Sequence, residues 1–414
     1  MDLMLTTAMA AEDMPTRRRP RCAYRSVDTA TGAFVAYVPL HEVRYSRILN
    51  GVGGFTAKLK LPPLGSGRWE SSSEGDPYED EYVDEYGGTD TEVIVPTGRA
   101  LADAYVAATA PVKTTIYVER DGVVVDAFVI WDRSYDHEAQ TITVQGAQMW
   151  SLVRKRRIRW NATYTATDQL AIVEALIDKA QTSTGGDLGI TVSAGTSGRL
   201  RDRTYVAHED KPLGEAIEQL AAVIDGFDFR LDVDRSGDTY ARTLRLFYPR
   251  VGRDASRTGH VWTLGANMVR LDWPEDGQRA ANSIAALGAG EGSSMLRAVV
   301  ADTTVIGEGY PLLEDSISLK DVTDASTLEG HARAELADRS RPLVLPSATV
   351  LADSAPSLGA YVPGDDARLV VPPNRDPCWP DGLDAFARIV EVRCAPPEDG
   401  RPETVELVFE EVAG

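Results

Sequence analysis

The chain has 414 residues, 43% of them hydrophobic and 26% charged, the profile of a folded protein with room for two to four domains at ~150 residues each. Lys and Arg total 43 against 63 Asp and Glu, a formal charge of −20. That balance argues against a nucleic-acid binder, whose affinity comes from clustered cations, and against docking on an anionic membrane.

No apolar run approaches the ~18 residues of a membrane span. Met1–Pro20 does not read as a secretory signal, because Glu12 and Asp13 interrupt its apolar stretch and Arg17, Arg18, Arg19 and Arg21 come after it. Residues 1–33 are expected to form an N-terminal arm. Residues 34–160 read as a first β domain. Val43–Ile48 and a strand with Phe55, Ala57, Leu59 and Leu61 facing inward flank Asn50-Gly51, a favoured tight-turn pair. Thr114–Arg120 and Val123–Trp131 flank Asp121-Gly122, whose positive φ suits a type I′ turn, and Thr141–Gln145 adds a further strand. Strands at this spacing predict a small barrel or sandwich, with Trp131 and Trp150 in strand contexts and in the core. Within this domain Gly65–Glu92 carries ten acidic residues, with no Lys or Arg from Trp69 to Thr91. It reads as a surface excursion, followed by a helix over Gly98–Ala108.

From about residue 161 to 275 the pattern becomes α+β. Leu170, Val173, Leu176, Ile177 and Ala180 form one helical stripe behind Asp168, a good N-terminal cap, and Gly185-Gly186 ends it. A second helix is expected from Asp210-Lys211-Pro212 with Leu213, Ile217, Leu220 and Ile224 on its stripe and Gly226 as its stop. Phe227–Val233 and Leu244–Tyr248 then form a hairpin around Ser236-Gly237-Asp238. Residues 276–345 read as a strand–helix connecting region, with a helix over Ala325–Arg339 capped by Asp324. Residues 346–414 supply a second β domain closed by Ala387–Arg393 and Glu403–Phe409. The fold class is therefore α+β, mostly β.

Residue types that carry chemistry are dispersed. His41, His137, His208, His260 and His331 stand at no metal-ligand spacing and read as surface or packing residues. Cys22, Cys378 and Cys394 are too scattered for a disulfide framework or a zinc site; Cys378 and Cys394 could meet across a hairpin, but reduced thiols are favoured. Gly288, Gly290 and Gly292 follow the apolar Ile284–Leu287, yet Val299–Ala301 continues as a strand. A flexible hairpin or crossover is expected there instead of a dinucleotide turn. Asp365-Asp366 reads as a turn in which Asp caps its own backbone. These observations assign no catalytic, cofactor-binding or metal residue, and no cofactor.

Four segments in order resemble the tail hub, or minor tail protein, of long-tailed bacteriophages, a family related in plan to the baseplate hub of contractile-tailed phages and the type VI secretion spike hub. They are Tyr45–Pro62 (YSRILNGVGGFTAKLKLP); Tyr117–Trp131 (YVERDGVVVDAFVIW) with Ile142–Gln148 and the basic Arg154–Arg157; His208–Phe229 (HEDKPLGEAIEQLAAVIDGFDF); and Tyr310–Asp365, with YPLLEDSISLKDVTD, its helix and LGAYVPGDD. The resemblance implies two tail-tube-like β-barrel domains flanking an α/β domain. It further implies a homotrimer whose six barrels join a sixfold tail tube to a threefold tip and line a channel for DNA, at the tail tip of the virion and without catalysis. The implied neighbours are the distal tail or tail tube protein, the tape measure protein and central tip or fibre proteins. DNA would pass without specific binding, and no membrane insertion is implied. An acidic wall would suit such a passage, since it creates no counterion-release affinity. The competing expectations are a tail-associated cell-wall hydrolase with dispersed carboxylates, and a receptor- or glycan-binding adhesin using Tyr78, Tyr82, Tyr86 or exposed tryptophans.

Overall fold

A computed structural model describes residues 20–63, 98–236, 239–254, 257, 259–320, 322, 324–398 and 402–411. The acidic stretch Gly65–Glu92, with Tyr78, Tyr82 and Tyr86, and Arg17–Arg19 lie outside the described residues. The chain divides into two units: Met1–Val251 with Cys394–Glu403, and Gly252–Arg393 with Thr404–Gly414. The architecture is mostly β with helices, an α+β arrangement of largely antiparallel sheets.

The first unit opens with β1 (Cys22–Asp28), β2 (Phe34–Tyr37), β3 (His41–Ile48) and β4 (Gly54–Lys60). Helix α1 (Gly98–Ala108), β5 (Thr114–Arg120), β6 (Val123–Asp136) and β7 (Thr141–Gln148) follow. The first β domain is expected from residue 34, behind an arm at 1–33, whereas the sheet already begins at Cys22, where β1 pairs antiparallel with β5 along its whole length. The strand order is β3-β4-β7-β6-β5-β1-β2. On β4 the alternation holds for Phe55, Ala57 and Leu59, which are buried while Thr56 and Lys60 face water; Leu61, expected inward, lies past the end of the strand and is half-buried. Asp121 and Gly122 both take positive φ, 51° and 79°, and so close the β5–β6 hairpin. Phe55 stacks on Phe128 at 5.2 Å between ring centroids, and Tyr45 tilts against Phe128 at 5.8 Å.

Helix α2 (Trp150–Lys155), β8 (Arg157–Ile158), β9 (Ala162–Asp168), α3 (Gln169–Gln181), β10 (Ile190–Ser193), β11 (Leu200–Tyr205), β12 (Lys211–Pro212), α4 (Leu213–Ala221), β13 (Asp228–Ser236) and β14 (Thr239–Phe247) complete this unit. Leu170, Val173, Leu176, Ile177 and Ala180 of α3 are all buried, and they share a core with Leu213, Ile217 and Leu220 of α4 and with Phe229, Leu244 and Leu246 of the hairpin. Three expectations fail locally. Ile224 is 79% exposed, because α4 ends at Ala221 and the chain turns away through Asp225, whose φ is 57°. Gly226 serves this turn through close approach, since a Cβ there would lie 1.8 Å from the Ala221 carbonyl oxygen. Trp150 is core, as expected, but it begins helix α2 instead of lying on a strand, and its Nε1 donates to Glu218 at 2.7 Å. Trp131 ends only half-buried, donating to the Ser151 hydroxyl at 2.8 Å.

The second unit holds β15 (Val261–Thr263), β16 (Met268–Asp272), β17 (Glu275–Asp276), β18 (Ser283–Leu287), β19 (Arg297–Ala301), α5 (Thr303–Gly307), β20 (Glu314–Ser318) and α6 (Ala325–Arg339). It continues with β21 (Leu343–Val344), β22 (Ser347–Leu351), β23 (Asp366–Val371), β24 (Leu383–Ala395) and β25 (Thr404–Glu411). One sheet runs β16-β22-β25-β24-β23-β15, with β15 parallel to β23. Residues 264–267 join β15 to β16 through a tight turn, in which the Gly265 amide donates to the Met268 carbonyl at 2.9 Å. Trp262, Met268, Val350, Leu369, Ile389, Leu407 and Phe409 are fully buried. The smaller sheet β19-β18-β20 packs on Leu328 and Ala332 of α6. The glycine run Gly288–Gly292 belongs to the β18–β19 hairpin, as its flanking strands required. Asp324 caps α6 by accepting from the Thr327 amide at 2.7 Å, and its hydrogen bonds from Ser326 and Thr327 hold its carboxyl at about 2.

Candidate assembly surface

Among the described residues, no group of three or more His, Cys, Asp and Glu side chains is placed to hold a metal ion. His137, His208 and His331 are exposed and His41 is half-buried. Cys378 is exposed, Cys394 is buried, and both are free thiols, as is Cys22. Trp273 and Trp379 pack edge to face at 5.7 Å.

The fifth histidine belongs to a cluster that the sequence does not announce. Asp365, 1% exposed, accepts from the Arg253 amide at 2.8 Å and from Arg253 Nη2 at 2.6 Å, and caps its own turn by accepting from the Val362 amide at 3.2 Å. The self-capping turn was legible; the arginine was not. Burial pushes the Asp365 carboxyl up, but the Arg253 guanidinium and the amides outweigh it, and the net displacement is downward. Arg253 Nη2 also reaches His260 Nε2 at 2.8 Å and the Ala360 carbonyl at 2.6 Å. Nη2 carries two hydrogens, and the Asp365 carboxylate and the Ala360 carbonyl stand closest to it. Tyr361 and Trp262 close the cluster with ring centroids 6.2 and 5.9 Å from His260.

In the first unit the buried charges are likewise engaged in structure. Asp126 accepts from Arg47 Nε at 3.2 Å, from Gln148 Nε2 at 2.7 Å and from the Ala127 amide at 2.7 Å. Burial dominates and raises its pKa despite these donors. Glu403, its side chain 1% exposed, takes Arg120 Nη2 at 2.7 Å. A polar cleft of about 180 Å³ lies beside Arg47 and Asp126, lined on its far side by Arg230, Asp232 and Asp234. Asp232 there pairs with both Arg230 and Arg245. Arg245, outside the lining, also lies 3.7 Å from Asp234, so three arginines meet the three aspartates of the cleft.

What the first unit does expose is an edge. Among the described residues β2 has one strand neighbour, β1, and ends its sheet. Its four residues, FVAY, leave Phe34 49%, Val35 40% and Tyr37 44% exposed. The sequence shows this run as apolar on both faces, which is the one signal that could have marked it. Phe34 and Tyr37 meet edge to face at 5.3 Å, and the Arg25 guanidinium lies 4.6 Å above the Tyr37 ring. Arg25 is fixed in turn by Glu119 at 2.9 Å. A strand edge of this kind offers main-chain donors and acceptors to another strand, with apolar side chains to set the register.

No protein-family model matches the chain, and no curated protein sequence matches it. Solved structures do. The 43 kDa tail protein of prophage MuSo2 from Shewanella oneidensis superposes with a TM-score of 0.60 at 13% identity, over 94% of this chain and 98% of that one. A tail protein from Neisseria meningitidis MC58 gives 0.56 at 13% identity, over 94% and 96%. A chain of a Francisella PdpA–VgrG complex gives 0.51 at 6% identity, over 95% of this chain but 58% of that one. From its first sheet to its last, the chain has the fold of phage tail proteins, shared in part with a component of a VgrG complex.

Proposed function

We propose that the chain is a non-catalytic structural hub at a phage tail tip. It assembles as a homotrimer, and each copy contributes two tail-tube-like barrels with an α/β domain between them. The first barrel comprises residues 34–160 with the acidic insertion, preceded by an arm at 1–33. The α+β domain spans 161–275, a connecting region 276–345, and the second barrel draws on 346–414. Three copies then present six barrels to a sixfold tube, around a passage for DNA. Its neighbours would be the distal tail or tail tube protein, the tape measure protein and central tip or fibre proteins.

The observation that carries this reading is the fold likeness along 94% of the chain to tail proteins covered almost end to end. Two features support it. Each unit carries a multi-stranded, largely antiparallel sheet, the material from which a barrel wall is built. The net charge of −20 repels a passing polyanion. The β2 edge is one side of the surface through which copies would meet, the next copy in a ring of three bringing a different strand edge against it. Native mass spectrometry of the purified chain tests both parts. The reading expects a trimer, and a Val35→Lys variant with unchanged circular dichroism that falls to monomer, because a charge on an edge strand opposes pairing. A monomeric parent chain overturns the trimer; a trimeric variant overturns the choice of edge.

A further inference from the structure

The basic run at 154–159, RKRRIR, divides between two tasks. Arg156 turns into the first unit. Its Nη1 donates to the Gly186 carbonyl at 2.7 Å and its Nη2 to the Ala180 carbonyl at 2.6 Å, which satisfies the C-terminal end of α3. Its own carbonyl accepts from the Leu213 amide at 2.9 Å and so fixes the start of α4. The other four cations, Arg154, Lys155, Arg157 and Arg159, are exposed. Arg154 and Lys155 lie in the last turn of α2. Beyond them β8 pairs antiparallel with β12, Pro212 opposite Arg157 and Lys211 opposite Ile158. The two-residue period therefore buries Ile158 and sends Arg157 and Arg159 outward together.

Their charge is only partly used within the chain. Arg154 Nε meets Glu218 at 2.6 Å with 46% of its side chain exposed, and Arg159 Nε meets Asp210 at 2.8 Å with 74% exposed. Pairs so open to water contribute little. Lys155 Nζ stands 5.6 Å from the centre of the Trp131 ring, and Arg157 donates to the Asp210 carbonyl at 3.3 Å; neither forms an ion pair among the described residues.

We propose that Arg154, Lys155, Arg157 and Arg159 form a docking strip for an extended acidic segment of a partner protein, whose carboxylates engage the two unpaired cations and reinforce the two exposed pairs. Guanidinium groups match carboxylates with parallel N–H donors, and the lysine adds a point charge. Five peptide steps reach at most about 18 Å, room for about three alternate side chains of an extended strand. The surroundings favour a short acidic peptide over nucleic acid. Glu209, Asp210, Glu215 and Glu218 border the strip, and the chain carries −20 overall. A duplex, with a phosphate every ~1.7 Å of its axis, would run on past the strip over those carboxylates, within the ~8 Å across which charges still repel at physiological salt. This surface requires neither three copies nor a passage, so it stands or falls separately from the hub.

Fluorescence polarisation of a labelled octaglutamate peptide with the full-length chain tests it. The peptide should bind at low salt and weaken at least about tenfold when ionic strength is raised to about 0.3 M. An Arg157→Gln/Arg159→Gln variant with unchanged circular dichroism should lose at least about fivefold in affinity. Arg333→Gln, which removes an exposed cation of α6 paired with Glu329, should bind as the parent does. A labelled DNA duplex of similar charge should bind more weakly than the peptide. If the double variant does not fold, Lys155→Gln replaces it, with an expected loss of at least about threefold. Absence of peptide binding at low salt, full affinity in the strip variant, an equal loss in Arg333→Gln, or a duplex that binds as tightly as the peptide overturns the proposal.

Discussion

Asn50 is the residue whose replacement tests the packing of the first unit most sharply. Its φ of 53° is left-handed, a conformation asparagine tolerates. From that turn its Nδ2 donates to Asp228 Oδ1 at 2.6 Å, and its Oδ1 accepts from the Phe229 amide at 2.7 Å. Asp228 is 6% exposed and Phe229 2%. Removing the amide strips a buried carboxylate of a donor, worth about 1.5–3 kcal/mol, and strands a buried N–H, worth about 1–3 kcal/mol. The Val251 amide, 2.9 Å from Asp228 Oδ2, remains as a partial substitute. Asn50→Gly should therefore cost about 3 kcal/mol, and Asn50→Ala about 1 kcal/mol more, because alanine resists the left-handed turn. Urea unfolding followed by tryptophan fluorescence suits the measurement, since Trp150 lies 4.6 Å from Phe229 between ring centroids. A loss below about 1 kcal/mol for Asn50→Gly would refute the reasoning that this side chain stitches the β3–β4 turn to β13.

Other replacements follow the same logic. Asp168 accepts from the Leu170, Ser197 and Gly198 amides and the Ser197 hydroxyl. Asp168→Ala should lower stability by about 1–2 kcal/mol in thermal melts. Burial raises the Asp168 carboxyl but these donors bring it below its ordinary value, so its contribution is present above pH 4 and fades as pH falls further; pH-dependent melts of parent and variant should converge at low pH. Gly53 and Gly54 make a matched pair. A Cβ at Gly53 would lie 1.9 Å from the Ser46 carbonyl oxygen, whereas at Gly54 it meets nothing within 4 Å. Gly53→Ala should cost about 3 kcal/mol or leave the chain insoluble, while Gly54→Ala stays within about 0.5 kcal/mol in the same urea assay. Burial pushes the Cys394 thiol up to about 12, and burial with Glu403 lifts Cys22 to about 11. A thiol reagent at pH 8 should therefore modify exposed Cys378 first and reach the other two only on unfolding, as counted by intact mass.

The features that were legible in the sequence are those settled within a few residues. Asp121-Gly122 names its own turn, Asp168 and Asp324 name their helix starts, and the α3 stripe names its buried face, because each depends on local backbone geometry or a fixed helical period. Ile224 misled because a stripe continues in sequence after its helix has stopped. The ties that build each unit join distant residues: Asn50 with Asp228 across 178 positions, Arg253 with Asp365 across 112, Arg120 with Glu403 across 283. No periodicity encodes such partners; they emerge only when strand register is fixed over the whole sheet. The β2 edge was hidden for a related reason. Four apolar residues read equally as a buried strand, and only the sheet order shows that no described strand lies beyond them.

The decisive measurement is an electron cryomicroscopy reconstruction of the intact tail carrying this chain. It should place three copies around a threefold axis at the tip, enclosing an open passage with barrel-like sheets ringed against the tube. A single copy, a closed axis, or a location away from the tip would contradict the proposal that this fold works as a hub.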